Sequence, residues 1–251
     1  MLSPNRPSNR TVRPVIGAEI PPIHRTLTVQ SVVIILLSVN RLSSLTTGYV
    51  ATNEFLRWVD FHNMLTLPLI SLAAFVLLKQ HLEYASPVRN GLWHNTISLF
   101  FIVAVYIFGA GYGDHEVTNY LHVRFCMDDP ESALCRIIIF NDDEFSHWVW
   151  FAGFVGINAT LMGIQALFPA RTVMSRRDGW LIGINALFIA LGIFANLAFE
   201  EIGLDLYVVA LLAAVAWVLM WRKGRQPLFV YYATAYTIGL LATGIVKLYG
   251  G

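Results

Sequence analysis

The sequence predicts an all-α, polytopic membrane bundle of about seven transmembrane helices, and three observations carry that prediction. Of its 251 residues, 56% are hydrophobic and only 13% are charged. The mean hydropathy is +0.59. The apolar residues also fall into long runs separated by short charged patches, and a helix needs about 20 apolar residues to cross the hydrocarbon layer. Seven runs approach or exceed that length, at 27–50, 61–80, 92–113, 145–168, 179–200, 204–221 and 228–248. They leave no room for a soluble domain, so residues 27–251 read as one transmembrane helical domain surrounded by the lipid bilayer.

Ahead of the first run, residues 1–26 are polar and rich in Pro and Arg, with Pro4, Pro7, Pro14, Pro21 and Pro22. No short apolar core followed by small residues occurs there, so the segment reads as a disordered cytoplasmic arm rather than a cleaved signal peptide. A cytoplasmic N-terminus puts 12 of the 17 basic residues inside, among them Arg89, Arg171, Arg176, Arg177, Arg222 and Lys223. That obeys the positive-inside rule. Acids separate the other way, with only Glu19, Glu83 and Asp178 inside. The net charge of +1 hides this asymmetry. It offers no basic surface for a nucleic acid, which is not an expected partner. Trp58, Trp93, Trp148, Trp180 and Trp221 fall near the ends of runs, where amphipathic rings anchor at the membrane interface.

The first run carries Asn40-Arg41 well inside it. An unpaired guanidinium is expensive there, so Arg41 is expected to snorkel outward, to pair with a carboxylate, or to hold an anionic headgroup or substrate. The second run opens with Asp60-Phe61-His62-Asn63 and the third closes with Gly113-Asp114-His115-Glu116, followed by His122. Cys126 and Cys135, the only cysteines, both lie in the loop that follows. A disulfide closing that loop is the simplest reading, and a periplasm would permit it. Two unrelated thiols or a soft metal site are the alternatives, although C-x8-C matches no common zinc spacing.

Glu144-Phe145-Ser146-His147 opens the fourth run. In a regular helix the i,i+3 spacing puts Glu144 and His147 on one face, as in the Glu-x-x-His element of di-metal carboxylate bundles. Asp143, one turn before His147, could orient the second ring nitrogen. The alternative is that Asp142, Asp143 and Glu144 only favour a helix start while His147 meets solvent. The fifth run ends in Glu200-Glu201, of which at most one would face the same level, since neighbours on a helix point about 100° apart. The last two runs carry small residues suited to close packing, together with Lys247, which reads as an interfacial snorkelling lysine.

His62, His115, His122 and His147 thus share one predicted level with several carboxylates, whereas the inner side offers only His24, His81 and His94 and few acids. Ionisable groups near membrane depth mark a functional site. The expected metal ligands are His147, His122, Asp114, Glu116, His62 and His115, with Glu144 and Glu201 as acid–base groups. Donors of this mixture suit several metals, carboxylates shifting preference from Cu(I) toward iron, manganese or zinc.

A family resemblance accompanies these residues. Phe194-Ala195-Asn196-Leu197-Ala198-Phe199-Glu200-Glu201-Ile202-Gly203 resembles the F-x-N-x4-E-x-G segment of the C subunit of copper membrane monooxygenases, the particulate methane and ammonia enzymes. Arg57-Trp58-Val59-Asp60-Phe61-His62 with Leu67-Pro68-Leu69, and the stretch from Val105 through His122 to His147, resemble other parts of that subunit in the same order. The resemblance implies a copper site, partner subunits in a hetero-oligomer, and oxidation of a small apolar substrate. It also implies the inner membrane of a bacterium, with the site toward the periplasm. The family histidines fall on His122 and His147. The family aspartate position falls on Thr118, so Asp114 or Glu116 would supply the carboxylate. The family's second site would need histidines in the sixth run, which has none. Two other readings stand beside this one: a zinc-dependent intramembrane lipid hydrolase, and a non-catalytic protein that binds or assembles metal.

Overall fold

The computed structural model describes residues 19–84, 91–170, 173–199 and 204–249. Among these the chain forms seven helices long and apolar enough to cross a membrane: α1 (Ile20–Leu42), α2 (Trp58–Glu83), α3 (Leu92–Phe125), α4 (Ala133–Leu167), α5 (Arg176–Phe199), α6 (Leu204–Lys223) and α7 (Pro227–Tyr249). No strand forms among the described residues; the nearest approach is an isolated bridge between Tyr49 and Arg57. Helix is the economical answer in hydrocarbon, because every backbone polar group is satisfied within its own segment.

Two boundaries differ from the expectation. Helix α1 begins at Ile20, inside the segment 1–26 read as an arm, and ends at Leu42 rather than near 50. Pro21 and Pro22 do not delay it, because the first helical turn leaves its N–H groups unbonded and proline's fixed φ suits that position. The larger difference is that α3 continues to Phe125 and α4 starts at Ala133. The charged residues 114–122 and 141–144, expected at helix ends and in a loop, are therefore carried on helices that extend about three turns beyond the apolar runs.

Only Cys126–Ser132 separates α3 from α4, and the Cys126–Cys135 disulfide (S–S 2.06 Å, Cα–Cα 5.4 Å) clamps the turn. Below it the two helices cross backbone to backbone. A Cβ on Gly111 would overlap the backbone of Trp150, and one on Gly153 would overlap that of Phe108. A Cβ on Gly156 would lie 2.8 Å from that of Ala104. Glycine is required at these contacts because no side chain fits between the helices. Helix α7 packs against α5 in a similar way: a Cβ on Gly239 would lie 2.7 Å from Ile193 Cγ2. Helix α6 lies against α7, while α1 bridges α2 and α5.

The buried core is continuous along the bundle, from Ile23 and Leu27 on α1 through Leu78, Phe108, Ile157 and Leu161 to Phe229, Tyr232 and Tyr236 on α7. Buried polar groups pair across helices. Gln30 and Ser71 exchange two hydrogen bonds (2.8 and 2.7 Å), Ser31 donates to Asn185 Oδ1 at 2.7 Å, and Asn158 donates to the Tyr236 hydroxyl at 2.8 Å. The opposite surface is apolar: Leu69, Leu99, Ile102, Leu191, Leu211 and Leu241 are exposed, and Trp93, Trp148, Trp180 and Trp221 project outward. Such a surface is stable only against lipid. The chain is an integral membrane protein.

Candidate metal centre

The polar level expected from the sequence sits where α3 and α4 emerge beyond their glycine crossing. On α3, His115, Asn119 and His122 recur at i, i+4 and i+7, so they share one face, and that face looks at α4. The residue they meet is Asp142, which is 1% exposed. His122 Nδ1 lies 2.8 Å from Asp142 Oδ2, and Asn119 Nδ2 donates to the same oxygen at 3.3 Å. His115 Nδ1 lies 3.1 Å from Oδ1, angled away from a straight hydrogen bond. A carboxylate this buried is tolerable because these contacts compensate it.

Asp142, rather than Glu144, stands at the centre, and the local backbone explains why. Residues Asn141–Phe145 form a single π-helical turn, in which Ser146 N–H reaches Asn141 O instead of the carbonyl one residue later. The wider turn changes which residues share a face, a device common at functional sites. Asp142 faces inward, Asp143 and Glu144 are exposed, and the Ser146 hydroxyl donates to Asp142 O at 2.7 Å. The regular i,i+3 face expected to join Glu144 and His147 is therefore interrupted between them. The detectable signal was the run Asp142-Asp143-Glu144 itself, which showed a charged helix start but not which acid would turn inward.

His122, Asp142 and Asp143 form the one cluster of at least three ligand-type residues, among the described residues, whose donor atoms all lie within 4.8 Å of one another. The fit to a metal ion is chemically plain: one imidazole and two carboxylates, one buried and one exposed, with a solvent-facing side. Asp142 also fits the carboxylate–histidine arrangement that orients an imidazole ligand. His147 stands beside this cluster, its ring 4.8 Å from that of His115 in an edge-to-face contact.

Asp114 and Glu116, expected as ligands, flank His115. Glu116 is 2% exposed and takes a hydrogen bond from Arg41 Nη2, and the same Nη2 lies 3.2 Å from His115 Nε2. Arg41 thus pairs with a carboxylate instead of reaching for a headgroup. Asp114 Oδ2 is buried and has no hydrogen-bond partner. His62 is placed differently. Its Nδ1 is 3.1 Å from Thr66 Oγ1 and its ring stacks on Trp58 at 5.6 Å, so its hydrogen bond and ring stacking are with α2 residues, at a second π-helical turn, His62–Thr66. Glu201, with Glu200 and Gly203, lies outside the described residues.

Two supports hold the centre in place. Asn40 Nδ2 donates to Asn63 Oδ1 at 2.6 Å and to Val59 O at 3.0 Å, tying the end of α1 to the start of α2 and so positioning Arg41. Arg57 makes a two-pronged pair with buried Asp60, both contacts 2.8 Å, and this hydrogen-bonded carboxylate raises the guanidinium's pKa further still. Arg57 also lies over the Tyr120 ring, one residue past Asn119 on α3.

The remaining histidines are at the other end of the bundle. His24 Nε2 lies 2.8 Å from Asp178 Oδ1, and His94 lies 3.1 Å from buried Glu83, which Lys79 also contacts at 2.7 Å. Along the α3–α4 pair, between the two ends, runs an apolar groove of about 390 Å³ lined by Phe100, Ala104, Ala152, Gly156 and Gly163. No family model, curated protein or solved structure matches the chain.

Proposed function

We propose that this chain is a metal-binding integral membrane protein whose His/carboxylate centre serves the oxidation of a small apolar substrate, as a divergent C-like subunit of a copper membrane monooxygenase that works with partner subunits. The observation that carries the metal assignment is the convergence of His122, Asp142 and Asp143 within 4.8 Å. Helices α3 and α4 provide all three, together with His147 at the margin. A bound redox metal would supply dioxygen chemistry through positions the protein leaves open, and the chain's own groups would fix the imidazole orientation and exclude bulk water from the buried side.

Copper comes from the resemblance of residues 50–205 to the monooxygenase subunit. The donors themselves also suit iron or zinc. The groove of apolar and small residues on the same two helices supports an apolar substrate arriving through the lipid. The excess of basic residues on the other side, and the disulfide beside the centre, support an N-terminus in the cytoplasm and a centre facing the periplasm of a bacterial inner membrane.

The test is the metal content of the detergent-purified chain by inductively coupled plasma mass spectrometry, compared with His122→Ala and Asp142→Asn. Near-stoichiometric copper lost in both variants supports the reading. Zinc lost in both would move the assignment to a hydrolase. Metal retained equally in all three proteins, or absent from the wild type after metal-replete growth, would overturn the centre.

A further inference from the structure

The contact between Arg41 and His115 has a consequence for how many cations this end of the protein holds. Arginine stays protonated in proteins and all its N–H groups are donors, so His115 Nε2, 3.2 Å from Arg41 Nη2, must present its lone pair to the guanidinium. The ring proton of the neutral imidazole then sits on Nδ1, which faces Asp142 Oδ1 at 3.1 Å. That tautomer aims the lone pair a metal would use at a point already filled by a cation. The same nitrogen of Arg41 also neutralises Glu116, whose side chain is 2% exposed, whereas the Arg41 side chain is 39% exposed and so reaches the pair from the solvent side. Asp114 Oδ2, buried without a hydrogen bond, is carried by the residue preceding His115.

We propose that Arg41 occupies a second cation position, formed by His115 Nε2 and Glu116, and that a divalent metal ion takes this position once the guanidinium is removed from it. The inference rests on the reading of this end as a metal centre, and it adds a site distinct from the His122, Asp142 and Asp143 cluster. With Arg41 in place the second position is closed and the chain binds a single ion. With Arg41 withdrawn, an imidazole lone pair and a buried carboxylate become available together, and the buried charge of Glu116 itself favours an incoming cation. No bond is made or broken apart from coordination, and the divalent ion brings two positive charges where the guanidinium brought one.

The experiment counts Zn²⁺ bound to the chelator-stripped full chain in detergent, using zinc because it takes imidazole and carboxylate donors without redox change. Wild type and Arg41→Lys are expected to hold about one equivalent, Arg41→Met about two, and the double variant Arg41→Met/Glu116→Gln about one again. Melting temperature is the second readout. Arg41→Met without metal leaves Glu116 unpaired, so it should melt below wild type and gain more from Zn²⁺ than wild type does, and this extra gain should vanish in the double variant. Arg41→Met binding no more Zn²⁺ than wild type, or gaining no more stability from it, overturns the proposal. Loss of the first equivalent in Asp142→Asn tests the primary centre separately. A wild type without zinc would defeat that reading, while a single equivalent in Arg41→Met that disappears with Glu116→Gln would leave the second position standing.

Discussion

Asp142 and His122 are 20 residues apart in sequence, on facing helices, with Oδ2 of one 2.8 Å from Nδ1 of the other. This contact orients the imidazole that the candidate centre depends on, and the buried carboxylate cannot be moved without disturbing Asn119 and His115 as well.

Asp142→Asn keeps the shape but removes the charge, and it is expected to weaken metal binding roughly 10–100-fold, the usual cost of losing a carboxylate partner of a histidine ligand. Competition with a chelator of known affinity measures it. An affinity within twofold of wild type would show that Asp142 only holds α3 against α4.

The disulfide should matter to both stability and metal. Cys126 and Cys135 close a loop with a sequence separation of 9, and Cys126 N–H bonds His122 O at 2.9 Å, so the bridge begins one turn from the centre. By loop-closure entropy Cys126→Ser/Cys135→Ser is expected to cost about 2–3 kcal/mol. Thermal unfolding in detergent measures this, and the same samples should show reduced metal occupancy. Thiol labelling of the wild type without reductant should find no reactive cysteine.

Gly153→Ala and Gly111→Ala each place a methyl group against the backbone of the facing helix. Overpacking of this kind costs about 1–3 kcal/mol or more. Because α3 and α4 would have to separate, both variants should also lose metal affinity without any change to a ligand. Gly113→Ala, whose Cβ would meet open space, is the matched control and should melt close to wild type.

The far end provides a different contrast. Lys79→Ala would leave Glu83, at 5% exposure, without its Lys79 contacts of 2.7 and 2.9 Å. Breaking a buried pair from one side costs roughly 3 kcal/mol. The variant should melt lower yet retain full metal occupancy, as should His94→Ala, since both residues lie at the end away from Asp142. Metal loss in either would place the ions elsewhere.

Much of this was legible in local pattern. Runs of about 20 apolar residues specify membrane-crossing helices because hydrocarbon offers the backbone no other partner. The level of His115 and His122 was marked by their place after the third apolar run, and two cysteines in one short loop made a disulfide the simplest reading. What the pattern could not give was the face of any residue beyond an irregular turn. The wide turn at Asn141–Phe145 brought Asp142 inward, while Glu144 lies exposed.

The sequence by itself determined the helical membrane architecture and made a disulfide the simplest reading of its two cysteines, since both follow from composition and short-range spacing. Tertiary structure alone decided that Asp142 is the hub, that His62 hydrogen-bonds Thr66 on its own helix, and that Arg41 meets Glu116 from 75 residues away. The physical reason is that burial of a charge must be compensated by whichever opposite group or hydrogen-bond donor the folded bundle brings within about 3 Å, and such partners come from other helices, whose rotation no local periodicity records.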